Sequence, residues 1–333
     1  MKSSSGRTIA VFLIFLALLP TLWAVTPLEQ IKSLSYLPSL DLARLKRGEI
    51  VVERGSLGDF PRGVHLQSSY FVSAPIATVG GALLHWDPVE HHDPEIRLYH
   101  EYVLPGSAGD FKTLRLQVNS PNDKWLLDRI AEVSRGSSVQ DLHLTNEELA
   151  LVRGKDGDTA WQEIMHGRAA AFARGGLAAV PPYWSGRKIS PLTEFRGLLG
   201  LAPNTAKHFE PIINSQPLTV DGKPASEAVS YWEAYVVHEH TTLQLGLVAA
   251  QKGDTSWQLI NCVYYPSDTY FMSIDLYQLW PVENGTLVWQ VSFVSALFRS
   301  YLGGVDRFVA GKLQTEETVR TIKEFRAELE KRR

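Results

Sequence analysis

Cysteine is almost missing from this chain: Cys262 stands alone among 333 residues. An internal disulfide is therefore impossible, and so is a cysteine-rich metal cluster. Because Cys262 lies in the apolar stretch Trp257 to Tyr265, it reads as a buried, inert thiol. A surplus of basic charge is missing too. Lys plus Arg total 33 against 36 for Asp plus Glu, a net charge of −3. That balance excludes a dedicated nucleic-acid binder, which needs cations to neutralise phosphates. Beyond residue 24 there is no apolar run long enough to span a membrane. The chain has no G-x-S-x-G, P-loop, H-E-x-x-H, C-x-x-C or dinucleotide fingerprint, no repeat and no low-complexity segment. No cofactor is expected.

At the start, Lys2 and Arg7 precede the apolar run Ile9 to Ala24, with no acidic residue before Glu29. This is the pattern of a secretory leader over residues 1–24, and it implies a secreted or periplasmic protein. An uncleaved anchor is the alternative, although the run contains Pro20 and falls short of the roughly 20 residues a spanning helix needs. The remainder, 25–333, is expected to form one α+β domain. It is 44% hydrophobic over the whole chain, ample for a core without disulfides.

Thr26-Pro27 with Glu29 predicts a capped helix running to about Tyr36. Strands are expected over 50–54, 64–72, 96–104 and 112–118, with a helix from Pro75 to Leu84. A helical insertion follows at about 120–200. It has starts at Ser120-Pro121 and at capping boxes Thr145/Glu148 and Thr159/Gln162, then a proline-punctuated stretch from 177 to 215.

From Ser230 the periodicity changes to two. Segments 230–239, 242–251, 256–265, 269–280 and 286–297 read as five strands joined by short turns, and hence as antiparallel neighbours. With Asn284-Gly285 as the last two-residue turn, Trp280 faces Trp289, Gln278 faces Val291 and Leu276 faces Phe293. Met272, Ile274 and Leu287 share that apolar face, while Ser273, Asp275, Gln290 and Ser292 form the reverse, polar one. Val305, Phe308, Val309, Leu313, Val319, Ile322, Phe325 and Leu329 keep rough helical spacing in a closing helix. That helix is the natural cover for the apolar face.

Three stretches carry a resemblance to a known family. Tyr70 to Val79 looks like a first strand turning into a short helix, Asp268 to Trp289 like a late hairpin, and Leu302 to Phe308 like the start of a closing helix. The layout resembles the helix-grip fold of the START-like and polyketide-cyclase-like superfamily. The resemblance implies a curved antiparallel sheet packed on the long C-terminal helix, with a hydrophobic or lipid-like small molecule held between them. Met272, Ile274, Leu276, Gln278, Trp280, Leu287, Trp289, Val291 and Phe293 would then line the cavity, with Gln278 as the odd polar member needing a partner. Peripheral contact with a membrane fits such a carrier.

Other chemistry is also written in the chain. His85, His91, His92 and Asp93 form a dense ligand-type cluster, and His238 and His240 would share one strand face. Together they suggest a metal-assisted or acid–base enzyme, against the plainer reading of exposed loop histidines. A third possibility is a structural or adaptor protein of the cell envelope, docking through the helical insertion.

Overall fold

The structure is a computed structural model that describes residues 25–56, 58–91, 93, 95–137, 141–237, 239–297 and 305–331. The leader expected over 1–24, His92 and His238 lie outside the described residues. The chain runs α1 (Pro27–Leu34), α2 (Leu42–Lys46), β1 (Val51–Arg54), β2 (Gly63–Val72), α3 (Ile76–Leu84) and β3 (Ile96–Tyr102). It continues through α4 (Ala108–Phe111), α5 (Pro121–Ser134), α6 (Asn146–Leu151), α7 (Gly157–Gly175), β4 (Tyr183–Trp184), β5 (Lys188–Ile189), α8 (Pro191–Leu199), α9 (Pro203–His208) and α10 (Glu210–Ile213). The meander β6 (Glu227–Val237), β7 (His240–Lys252), β8 (Trp257–Pro266), β9 (Tyr270–Val282) and β10 (Gly285–Ala296) follows, and α11 (Val305–Lys331) closes the described chain.

The five expected strands are therefore present, in order and antiparallel. They sit inside a larger sheet of eight strands, ordered β1-β2-β10-β9-β8-β7-β6-β3. This corrects the curved, helix-grip expectation. The sheet is neither curled nor closed, and β1 and β3 stand as its two edges. What holds is the α+β class, the antiparallel pairing and the long C-terminal helix.

The last hairpin differs from expectation by one step. Gly285 pairs with Val282, so Glu283 and Asn284 form the turn, and Trp289 pairs with Gln278 rather than Trp280. Asn284 takes the positive φ of 64°. Gly285 is needed for close packing, since a Cβ there would lie 2.3 Å from the Val72 carbonyl oxygen on β2. The register shift is two residues, an even number, so every side chain keeps its face.

Which helix covers which face is the larger correction. The apolar face of β9 and β10 is buried by the helical block. Phe195, Leu198, Phe209 and Ile212 of α8–α10 and Ile164, Met165 and Phe172 of α7 share one core with it. The terminal helix lies on the reverse face. Its Ile322, Phe325 and Leu329 pack with Tyr70, Val72, Val79, Leu279 and Val288, and α3 packs there too. Arg326 donates to the Gly48 carbonyl (3.1 Å) and Arg320 pairs with Glu95 (3.3 Å).

Local details follow from hydrogen-bonding needs. Thr26/Glu29 and Thr145/Glu148 form complete capping boxes. Thr159 does not cap a helix. Asp156 does so instead, accepting from the Thr159 amide, and α7 starts at Gly157. Residues 112–118 are not a strand. Their backbone groups are taken by the helical block: Asp158 accepts from the Leu116 amide (3.0 Å), Asp123 from the Gln117 amide (2.7 Å), and Gln162 donates to the Leu114 carbonyl (3.0 Å).

Arg168 joins the helical block to the sheet. It is 1% exposed, pairs with Glu148 (2.7 Å), donates to the carbonyls of His143 and Pro181, and stacks 3.9 Å from the centre of the Tyr265 ring. Removing it leaves the largely buried Glu148 carboxylate without its cation and the Pro181 carbonyl without its donor, while the His143 carbonyl keeps its bond from the Tyr265 hydroxyl (3.1 Å). Arg168→Ala should lose about 3–5 kcal/mol of unfolding free energy in chemical denaturation. A loss within the range of a surface substitution would show that the ion pair does not tie the layers together.

Candidate functional site

All nine residues of the expected cavity lining are buried, from 0% for Met272, Ile274, Leu276, Leu287, Trp289, Val291 and Phe293 to 2% for Gln278 and 5% for Trp280. They lie beneath the helical block, not beneath the terminal helix. Trp289 meets the rings of Phe209 (5.5 Å) and His208 (5.8 Å), and its indole N–H donates to Gln67 (3.3 Å). Gln278 finds its partners inside the protein. Its Oε1 is bonded to His208 Nε2 (2.9 Å) and accepts from Gln258 (3.1 Å), and its Nε2 donates to the Trp257 carbonyl (3.2 Å). Cys262 is also buried, and burial pushes its thiol pKa up, so it is unreactive.

The histidine clusters separate. His85 bridges Glu101 and Glu227, each at 3.1 Å, and those carboxylates hold its pKa above the usual value despite partial burial. His91 stacks on Trp86 at 3.7 Å. His240 instead meets Thr269 (3.2 Å) and Asp268 (3.4 Å) at the β8–β9 turn. Among the described residues no group of three or more His, Cys, Asp or Glu side chains is placed to hold a metal ion.

The reverse face of the sheet has a different character. Across β10, β9 and β8 the register aligns Ser292, Asp275 and Asn261 in one row, and Val294, Ser273 and Val263 in the next. β9 and β10 are interior strands, yet exposure along β9 alternates. Met272, Ile274, Leu276 and Gln278 are buried, while Ser273, Asp275 and Tyr277 remain half-buried. Asn261 and Val294 are half-buried as well. Accessible surface thus persists at the middle of the sheet, on the face that carries α3 and α11.

The polar groups there are organised. Asp275 accepts from Ser292 and from Gln290 (3.2 Å), Gln290 also donates to Ser292 (3.1 Å) and Tyr277 (3.4 Å), and the Tyr231 hydroxyl donates to Asn261 (2.8 Å). Gly246 leaves room for the Tyr231 ring, since a Cβ there would sit 2.1 Å from it. Further along the same face, Gln244 donates to Glu233 and accepts from the Tyr270 hydroxyl. Neither Asp275 nor Glu233 has a cationic partner among the described residues. Burial therefore raises the pKa of the Asp275 carboxyl, and that of Glu233 rises to about 7. The alternation of polar residues on β9 and β10 was the sequence signal for this surface. It could not show that Tyr231, Asn261 and Glu233 of earlier strands would join it.

No family model matches the chain, and no curated protein matches it. Among solved structures, a START superfamily protein from Mycobacterium smegmatis is similar, at 12% identity and a TM-score of 0.24, over 34% of this chain and 70% of that one. The resemblance seen in the sequence is thus met by a weak structural likeness, too faint to locate a site.

Glu233 makes stability depend on pH. Its folded pKa lies above its unfolded value, so the stabilisation is complete below about pH 4.5 and is lost as pH rises through about 7. Across that window the loss should amount to ~3 kcal/mol. Glu233→Gln should flatten the curve of unfolding free energy against pH between those values. An unchanged slope would rule out a buried, titrating Glu233.

Proposed function

We propose that the protein binds a small amphiphilic molecule on the reverse face of the sheet, beside α3 and the terminal helix. One observation carries this reading: Ser273, Asp275 and Tyr277 keep accessible surface at the centre of the sheet while their neighbours on the other face are sealed. The ligand's apolar part would lie along Val263, Val294 and the Tyr277 ring. Its polar group would meet the Asp275 carboxyl, whose pKa burial raises, together with Ser273 and Asn261. A hydroxyl, which both donates and accepts, suits these groups. Affinity would come from apolar area removed from water, about 25 cal/mol per Å² before ordering costs. The sequence start, with Lys2 and Arg7 before an apolar run, supports export as the setting for this binding.

N-phenyl-1-naphthylamine is a suitable probe, being apolar with one polar group. It should bind saturably to the full chain with enhanced fluorescence. Ser273→Phe, which fills the space from the sheet side, should weaken binding about tenfold, some 1.4 kcal/mol, with circular dichroism unchanged. Unaltered affinity in that variant, or no saturable binding to the parent chain, would dispose of the site.

A further inference from the structure

The turn between β8 and β9 borders an open cleft of about 780 Å³. Side chains from the helical block and the sheet converge on it. Asp268, 1% exposed, accepts from the hydroxyls of Thr242 (2.5 Å), Thr269 (2.5 Å) and Ser267 (3.1 Å), so its charge is well satisfied. Thr269 has a φ of 62°, rare for a β-branched residue, and its hydroxyl also lies 3.2 Å from His240 Nε2. The His240 ring lies 4.2 Å from the Trp125 indole, and together they make one aromatic wall.

His143 supplies the telling feature. It is 2% exposed yet lines the cleft, and its Nδ1 is 2.9 Å from the Pro266 carbonyl. A bond to a carbonyl requires the proton on Nδ1, which leaves Nε2 as a bare acceptor. Burial pushes the pKa down to about 4, so the ring stays neutral. Nε2 has no hydrogen-bond partner among the described residues. Arg187 lines the same cleft and has no ion pair among the described residues. Glu194, the carboxylate that acts on Arg187 from nearby, is already held by Arg62 in a two-point bond (2.7 and 3.1 Å).

We infer that this cleft is a second binding site, separate from the sheet-face site, for a small carboxylic acid carrying a hydroxylated ring. Arg187 takes the carboxylate through a charge-assisted hydrogen bond. His143 Nε2 accepts from the ring hydroxyl, and Trp125 offers its face to the ring. Asp268, saturated by hydroxyls, sets the shape of the turn and does not bond the ligand.

Ligand-observed NMR titration of the full chain with 4-hydroxybenzoate tests this. Binding is expected in the range of a fragment-sized ligand, with 4-hydroxybenzamide and benzoate each about tenfold weaker. Arg187→Gln, at an exposed position, should weaken 4-hydroxybenzoate about tenfold and leave the amide unchanged, with the thermal midpoint unaltered. Ser273→Phe should leave 4-hydroxybenzoate binding intact, which separates this site from the sheet-face site. No binding of 4-hydroxybenzoate, equal binding of acid and amide, or full affinity in Arg187→Gln would overturn the inference.

Discussion

An antiparallel sheet can seal one face and leave the other partly wet, and in this protein the two faces of β9 and β10 differ in chemistry. One face of β9 and β10 presents Met272, Ile274, Leu276, Trp289, Val291 and Phe293, all sealed from solvent. At about 2 kcal/mol for each large apolar side chain removed from water, this face supplies a large share of the driving force for folding. It demands a dry, close-fitting cover, and α7–α10 provide one from a segment inserted between β3 and β6. The rest of the architecture follows from that assignment, because it leaves the terminal helix to the other face.

That other face is only partly apolar. Tyr70, Val72, Leu279 and Val288 hold α3 and the end of α11, while Asp275, Ser292, Gln290 and Asn261 form a polar belt beside them. Carboxyl groups buried without cations are tolerable when amides and hydroxyls solvate them and when they can stay protonated. Glu233, whose pKa rises to about 7, meets both conditions, and Asp275 meets the first through Ser292 and Gln290. A fold stabilised chiefly through its sealed face can keep such a surface on the opposite side, and polar surface at the heart of a sheet is what a selective binding site needs.

Much of the fold was legible because its determinants are local. The capping pairs Thr26/Glu29 and Thr145/Glu148, and the alternation from Ser230 onward, act within a few residues of chain. The parity of β9 and β10 survived an error of two residues at the Glu283–Asn284 turn, because face depends only on odd or even position. Long-range choices were not legible. An amphipathic stripe on α11 says that the helix packs, not against which side, and the prolines from Pro181 onward announce loops with short helical turns but not that three such helices cover the sheet. Residues 112–118 have strand-like alternation but lend their backbone groups to Asp123, Asp158 and Gln162, partners invisible to a periodicity. Of the expected site residues, the apolar ones proved to be core. Of the expected histidines, His240 lines a cleft, and there it joins His143, Arg187 and Trp125, which no spacing rule connects to it.

The open ends of the sheet carry a consequence for life at high concentration. An unpaired strand is a template on which a neighbouring molecule can add its own. β1 is short and ends in exposed Glu53 and Arg54, and β3 carries Arg97, His100 and Glu101, which face Asp123, Asp110 and His85. A stranger docking along β3 would bring its own side chains against those polar groups. The borders of the sheet are thereby made less hospitable to stacking, without closing the sheet into a ring.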